Sequence, residues 1–232
     1  MNGSAARRAL ITAGTRGLGF HIALGLGQAG FSVLLGSRDL SRGIAAAAEL
    51  RDLGIEANPL PLDLSVPASM RAAATRILDD GLGLDVLVNQ AAIGAPRAMT
   101  PMDDYDATVR AIMETNFFAP LLLSRLVLPA LRASATGRIV NVSGHLDGTA
   151  RNGGAATAGA RRLGYASATA ALNMLTLELT HELAATPVLV NAVSCALNDE
   201  AHLNLEEPLL RSAQGAIRLA LLRPGGPRGS FF

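Results

Sequence analysis

Ala9-Leu10-Ile11-Thr12-Ala13-Gly14-Thr15-Arg16-Gly17-Leu18-Gly19 decides how the chain folds. It reads as a short buried strand running straight into a glycine-rich turn, with an apolar helix from Phe20 to Ala29 behind it. The spacing is G-x-x-G-x-G after Thr-Ala, not the commoner dinucleotide pattern G-x-G-x-x-G. Gly14, Gly17 and Gly19 remove side chains where a backbone bends tightly and approaches a diphosphate. The helix that begins there offers unpaired N–H groups and a positive dipole end to the anion. The flanking strand and helix are the context such a motif requires; a bare strand-turn-helix is the alternative.

Working outward, strand and helix signals alternate along most of the length. Ser32-Val33-Leu34-Leu35 is the second strand, and Ser41 caps a helix to about Leu53. Glu56 to Leu62 is the third strand, ending at Asp63-Leu64, and Ser65 with Pro67 starts the next helix. Asp85-Val86-Leu87-Val88 is the fourth, closing in Asn89-Gln90-Ala91-Ala92. A long helix from about Asp103 to Ala133 is expected to bend near Pro120 and Pro129. Arg138 to Ser143 is the fifth strand, Tyr165 to Leu183 a helix, and Val188 to Ser194 the sixth strand. The pattern predicts an α/β, doubly wound parallel sheet with helices on both faces, in one domain spanning residues 1–232. Leu146 to Leu163 reads as a mobile loop and Ala196 to Pro208 as a polar, acidic one. Both leave the edge where such sheets bind ligands, so both are candidate substrate walls or lids. The terminal Ser-Phe-Phe is either a truncated last strand or a frayed tail.

Composition narrows the function. Half of the residues are hydrophobic and the net charge is +1, so neither nucleic acid nor an anionic membrane is an expected partner. No apolar stretch reaches the roughly 18 residues of a bilayer span. Arg7 and Arg8 precede a run that glycines interrupt at once, unlike a signal peptide. The single Cys195 excludes an intrachain disulfide and reads as a small core residue rather than a nucleophile. A cytoplasmic protein is expected. No cluster of His, Cys or carboxylate has metal-ligand spacing. His21, His181 and His202 read as surface residues.

The assembled motifs resemble those of the short-chain dehydrogenase/reductase family over nearly the whole chain, most of all its carbonyl-reductase-like branch. The matching residues are Thr12 to Gly19, Leu62-Asp63-Leu64, Asp85 to Asn89, Thr115-Asn116, Arg138 to Ser143 and Tyr165-Ala166-Ser167. Ala170 to Asn173 and Val190 to Val193 complete the set. The resemblance implies a Rossmann-type sheet of about seven strands, a nicotinamide cofactor, and pairing into a homodimer or homotetramer through long helices. Where the family places an acid for the ribose 2′-hydroxyl this chain has Ser37, next to Arg38, with Arg16 close by. Two guanidinium groups without a carboxylate favour a 2′-phosphate, hence NADP(H). Asp39 and Arg42 read as solvated charges. Asp63, with Leu64 beside it, is expected at the adenine, and Asn89 and Ala91 beside the cofactor.

The resemblance also implies a proton relay, which this chain keeps only in part. Tyr165 and Asn116 stand at the positions of the acid and of the residue that holds the relay water. The lysine that would follow Tyr165 by four residues is Thr169, which carries no charge to lower a phenol's pKa. The serine that would position the substrate is Gly144, with Ser143 before it on the opposite strand face unless the strand end is bulged. Gln90-Ala91-Ala92 and Cys195-Ala196 also depart from the family pattern. His145 is a candidate substitute acid–base, with a solvated loop residue as the alternative. Three functions therefore stay open for a small-molecule substrate. They are an NADPH-dependent carbonyl or quinone reductase, a non-redox isomerase, dehydratase or cyclase, and a catalytically silent binding partner. The Ala-, Arg- and Gly-rich composition suggests a high-GC bacterium and, by association only, secondary metabolism.

Overall fold

The computed structural model describes residues 6–94, 105–144, 163–194 and 206–232. Its strands are β1 (Arg7–Thr12), β2 (Phe31–Ser37), β3 (Ala57–Pro61), β4 (Val86–Asn89), β5 (Arg138–Ser143) and β6 (Leu189–Ser194). They form one sheet in the order β3-β2-β1-β4-β5-β6, every neighbouring pair parallel. The order reverses between β1 and β4, which opens a crevice at their carboxyl ends. The helices are α1 (Gly17–Gln28), α2 (Leu40–Asp52), α3 (Pro67–Asp79), α4 (Tyr105–Met113), α5 (Ala119–Ala133), α6 (Leu163–Glu182) and α7 (Glu206–Ala220).

Strand alternation sends side chains to two cores. Ala9, Ile11, Val33, Leu35, Val88 and Val140 pack with α1, α2 and α7 on one face. Leu10, Leu34, Leu87, Ile139 and Val190 pack with α3, α5 and α6 on the other. Burial on both faces explains why β1, β2 and β4 are continuous apolar runs rather than alternating ones. β3 carries Pro59 and Pro61, which lack a ladder donor, and it lies at the sheet edge where they are tolerated.

The structure bears on four expectations. The sheet has six strands, not about seven. The tail does run beside β6: Ala192 donates to Ser230 at 2.9 Å and Phe232 to Ala192 at 3.0 Å, with Ala192–Phe231 as an isolated parallel bridge. It is ordered, but too short for a strand. The long helical run is interrupted by a π turn, Glu114–Phe118, which ends two residues before Pro120, and Pro129 lies inside α5. Finally, the 28-residue helical run Asp106–Ala133 is long and apolar enough to cross a membrane by length and composition. In the linear sequence the run is interrupted by charges such as Glu114 and Arg125 as well as by Asn116 and Ser124, of which the last two are buried.

At the opposite, amino-terminal edge of the sheet Arg138 is almost fully buried at 1 % exposure. Its guanidinium donates to Leu222 O at 2.6 and 3.1 Å, to Gly137 O at 2.6 Å and to Pro187 O at 3.4 Å. Burial first, then repulsion from Arg228 and Arg7, holds its pKa below the ordinary arginine value. The side chain ties the residues just past α7 to the starts of β5 and β6. Arg138→Ala should lower stability by about 3 kcal/mol, since it strands buried carbonyls and leaves a void. A urea-unfolding midpoint unchanged from wild type would contradict this.

The β1–α1 turn holds a second constraint. Ala13 has φ +51, the left-handed region, where a side chain clashes with the backbone. Gly14 beside it is not at positive φ. A Cβ there would stand 3.1 Å from Ile11 O and 3.2 Å from Leu35 Cδ2. Glycine at 14 thus serves close packing, and the position that needs glycine's freedom holds alanine. Ala13→Gly should stabilise by up to about 1 kcal/mol, strain relief outweighing the added freedom of the unfolded chain. Chemical denaturation of the two proteins side by side measures it, and a loss of stability would refute the strain.

Candidate functional site

The site is assembled at the carboxyl edge of the sheet, starting from Thr12 at the end of β1. Its hydroxyl accepts the Gln90 N–H at 2.8 Å and the Ala91 N–H at 3.0 Å, clasping the segment after β4 to β1 across the crevice. Beyond Thr12 the chain turns through Ala13 and Gly17, whose φ is +52, into α1. A Cβ on Gly17 would meet nothing within 4 Å, so the turn is open on that side. Gly19 is closed: a Cβ there would collide with Ala13 O and lie 2.6 Å from Gln90 Oε1. Of the three glycines, Gly17 alone leaves free space for a ligand. Arg16 is the N-cap residue of α1; it makes no side-chain capping bond, and no acid occupies the first turn. The first N–H groups of α1 are thereby left to a ligand, and an anion suits them. Thr15 is half-buried, and Leu18 is a core residue.

At the end of β2, Ser37 donates its hydroxyl to Asp39 O at 2.7 Å and accepts the Asp39 N–H. That hydroxyl is committed to its own turn. Asp39 caps α2 through Arg42 N and pairs with the Arg42 guanidinium at 3.1 Å, so these two charges neutralise one another locally. Arg16 and Arg38 are exposed. Asp63 accepts the Ser65 hydroxyl at 2.6 Å and the Ser65 N–H at 2.9 Å. Those bonds, chiefly the hydroxyl, with attraction from Arg38, keep its carboxyl below the usual range against a modest burial penalty. Leu64 packs on the second core. The arrangement fits a dinucleotide carrying a 2′-phosphate: an uncapped helix start, an open glycine, exposed guanidiniums, and the nearby carboxylates tied up in local bonds.

The other half of the site is built by β5 and α6. Tyr165, Thr169, Asn173 and Thr176 recur every three or four residues and form a polar stripe on α6. A Cβ on Gly144 would lie 3.4 Å from Thr169 Cγ2 and 3.6 Å from Tyr165 Cε1, so these three positions meet. Tyr165 is partly exposed at 38 %. Ser143 is buried and donates to Asn173 Oδ1 at 2.6 Å, a bond that engages it with the helix stripe. Asn116 lies in the π turn, and its amide makes a reciprocal pair with Ile93, accepting from N and donating to O at 2.9 Å each. It fixes the segment after β4. Asn89 points below the site, donating to Asn141 Oδ1 at 2.9 Å and to Ser124 Oγ at 3.2 Å, and Asn141 donates on to Thr176 at 2.8 Å. Ala91 enters through its backbone alone.

His145, Cys195 and His202 lie outside the described residues, as do both loop candidates except at their ends, where Leu163 opens α6 and residues 206–208 open α7 and are helix rather than loop. His21, expected at the surface, is half-buried, with Nδ1 enclosed and unpaired. Among the described residues no group of His, Cys, Asp or Glu could hold a metal ion. The sequence reading missed Thr12 as a clasp, Asn173 as the partner of Ser143, and Gln90. The only signals available were a hydroxyl before the glycine turn and the helical spacing from Tyr165 to Asn173.

Comparison with known proteins agrees with this architecture. The model of the short chain dehydrogenase family matches residues 7–206. The chain is 33% identical over 201 residues to the 3-oxoacyl-(acyl-carrier-protein) reductase FabG of Vibrio cholerae, covering 83% of this chain and 77% of that one. It is 36% identical over 141 residues to human carbonyl reductase (NADPH) 3, covering 60% and 50% of the two chains. The chain spans between about a third and just over half the length of several such curated relatives. A crystal structure of a metagenomic short-chain oxidoreductase in complex with NADP superposes with a TM-score of 0.78 at 29% identity, covering 97% of this chain and 94% of that one. On its sequence, its sheet and the placement of its turn and helix motifs, this chain belongs to the short-chain dehydrogenase family.

Proposed function

We propose that the chain is an NADP(H)-dependent reductase of a carbonyl or quinone, with Tyr165 as the proton donor. The observation that carries this is the meeting of Tyr165 with Gly144 on the same sheet edge as the uncapped, cation-flanked start of α1. NADP in the metagenomic neighbour and NADPH in the name of the carbonyl reductase support the cofactor. When bound, the dinucleotide supplies a hydride. The N–H groups opening α1 would hold its diphosphate, and Arg16 and Arg38 its 2′-phosphate. Tyr165 gives the phenol proton to the substrate oxygen as the carbonyl carbon accepts the hydride, and water restores that proton to the tyrosinate. Asn116, through Ile93, keeps the neighbouring segment in place. Ser143, held by Asn173, supports the strand end rather than the substrate.

Gly144 offers no hydroxyl and Thr169 no charge, so acid catalysis is weakened. A substrate whose carbonyl takes a hydride readily, such as a quinone, suits that site best. Tailoring of a secondary metabolite in a bacterial cytoplasm fits this chemistry. The exposed Phe118 and Met174 on the outer helices suit pairing with a second copy. Thr169 also favours a second reading, a dinucleotide-binding protein without turnover. A non-redox isomerase, dehydratase or cyclase would act without added nicotinamide.

Titration by cofactor fluorescence should show NADPH binding more tightly than NADH; a folded protein that binds neither would end the reductase reading. Consumption of NADPH should follow with some member of a quinone and ketone panel and vanish in Tyr165→Phe. Turnover without nicotinamide would instead favour the non-redox enzyme.

Restoring both missing groups is the sharper test. A Cβ at 144 has ordinary clearance, so Gly144→Ser fits. Gly144→Ser with Thr169→Lys should raise kcat/KM by roughly 10²-fold or more, the usual scale of a general-acid contribution. The ammonium also favours tyrosinate. The pH above which reduction falls should therefore be lower in the double variant than in the wild type. A pH–rate profile that the double variant leaves in place would show that Tyr165 is not the titrating acid.

A further inference from the structure

Tyr165 stands in the first turn of α6, and the residue before it, Gly164, is buried. Glycine is a poor helix residue, and no positive φ requires it at this position. What requires it is α4. A Cβ on Gly164 would stand 3.0 Å from Ile112 Cδ1 and 3.4 Å from both Val109 Cα and Val109 Cγ2. Ile112 is enclosed at 1 % exposure, so its end has little room to swing aside, and Val109 Cα is backbone. The two helices therefore meet at backbone distance, one residue from the phenol. At its other end α4 runs into the π turn, whose Asn116 clamps Ile93. One close contact thus ties the start of α6 to the helix that carries Asn116, while Tyr165 meets the end of β5 at Gly144.

We propose that Gly164 is a positioning residue for Tyr165: by letting α6 rest on α4 with no side chain between them, it sets where the phenol stands. This rests on the reductase reading above and adds to it the contact that aims the proton donor. A methyl group at 164 would force its neighbours to give by a few tenths of an ångström. The rest of α6 is not free to follow, because Asn173 and Thr176 are bonded to Ser143 and Asn141 on β5. The displacement falls on the first turn, where Tyr165 is. Proton transfer tolerates little of it, a misplacement of about 1 Å costing on the order of 10²-fold in rate.

Steady-state reduction by the full chain, with the best substrate of the quinone and ketone panel, tests this. Gly164→Ala should lower kcat by about fivefold, and Gly164→Val by about 50-fold. NADPH affinity, followed by cofactor fluorescence, should stay within about twofold, since the dinucleotide rests against α1 rather than α4. Ile112→Val removes the methyl that the new Cβ would strike. Added to Gly164→Ala, it should return at least about half of the lost rate. A glycine with no such role would give the opposite result, because alanine is the better helix former and would cost no activity. Wild-type kcat in both Gly164 variants would therefore overturn the proposal, and so would a loss that Ile112→Val fails to relieve. Equal weakening of NADPH binding, the sign of a general disturbance, would overturn it too. Each of these leaves the reductase reading standing, because the wild type turns over. A wild type that reduces no member of the panel would overturn that reading, and the role of Gly164 with it. Should Gly164→Val fail to fold, Gly164→Ala and its rescue decide between the same outcomes.

Discussion

One oxygen atom, the Thr12 hydroxyl, holds the segment past β4 to the end of β1, just beyond the ladder that pairs the two strands. Neighbouring strands leave β1 and β4 towards opposite sides, so the connections that follow them share little packing. Accepting two consecutive N–H groups, from Gln90 and Ala91, fixes that separation with a single side chain. The layer below reinforces it. Asn89, Asn141 and Thr176 run from β4 through β5 to α6, with Ser124 joining from α5, all buried. Each member has a partner in this network, though Asn89 Oδ1 is left unpaired. The network sets α6, and so Tyr165, relative to the strand ends.

On that frame the two halves of the edge differ in chemistry rather than in build. The half around α1 keeps cations, an open glycine and uncapped N–H groups. The half around α6 has exchanged a hydroxyl for a hydrogen at 144 and a charge for a hydroxyl at 169, relative to the pattern its motifs resemble. The exchanges are mutually compatible: Gly144 faces Thr169 and Tyr165 at ordinary contact distance, and Thr169 is buried without bringing a charge with it. Burying an ammonium would strand a full charge, whereas a threonine brings only a hydroxyl to be satisfied. On the proposed reductase reading, the wall is intact while its acid catalysis would be weaker, and an easily reduced substrate would suit it.

The layered fold was legible in the sequence because its signals are local. Continuous apolar strands, period-3.6 helices and the glycine turn each appear within a dozen residues. What stayed hidden depends on long-range geometry. The π turn at Glu114–Phe118 has no sequence mark of its own beyond the proline that follows it at 120. The pairing of the tail with β6 depends on register rather than composition. At the site, Gly14, Gly17 and Gly19 looked alike, yet one packs against β2, one bends and opens, and one makes room for Gln90. Ser143 was ambiguous because the period-2 rule gives its face but not its partner, Asn173.

The unsatisfied and strained groups among the described residues gather at one edge of the sheet. The unpaired buried side-chain atoms among the described residues belong to His21, Asn89, Gln90 and Ser194. Asn89 and Ser194 end strands, Gln90 follows one, and His21 lies in the second turn of α1, all towards the carboxyl edge. Ala13, the one non-glycine at positive φ among them, sits there too. At the amino edge the most demanding side chain of all, the buried Arg138, has bonds for every nitrogen. Folding alone would favour removing strain and orphaned atoms wherever they occur, since each costs stability and most are simple to replace. Their confinement to the edge where ligands enter is what a binding site requires, because there the missing partner arrives with the ligand. The same argument weighs against a scaffold kept only for pairing with another copy, which would have no need of an unsatisfied crevice.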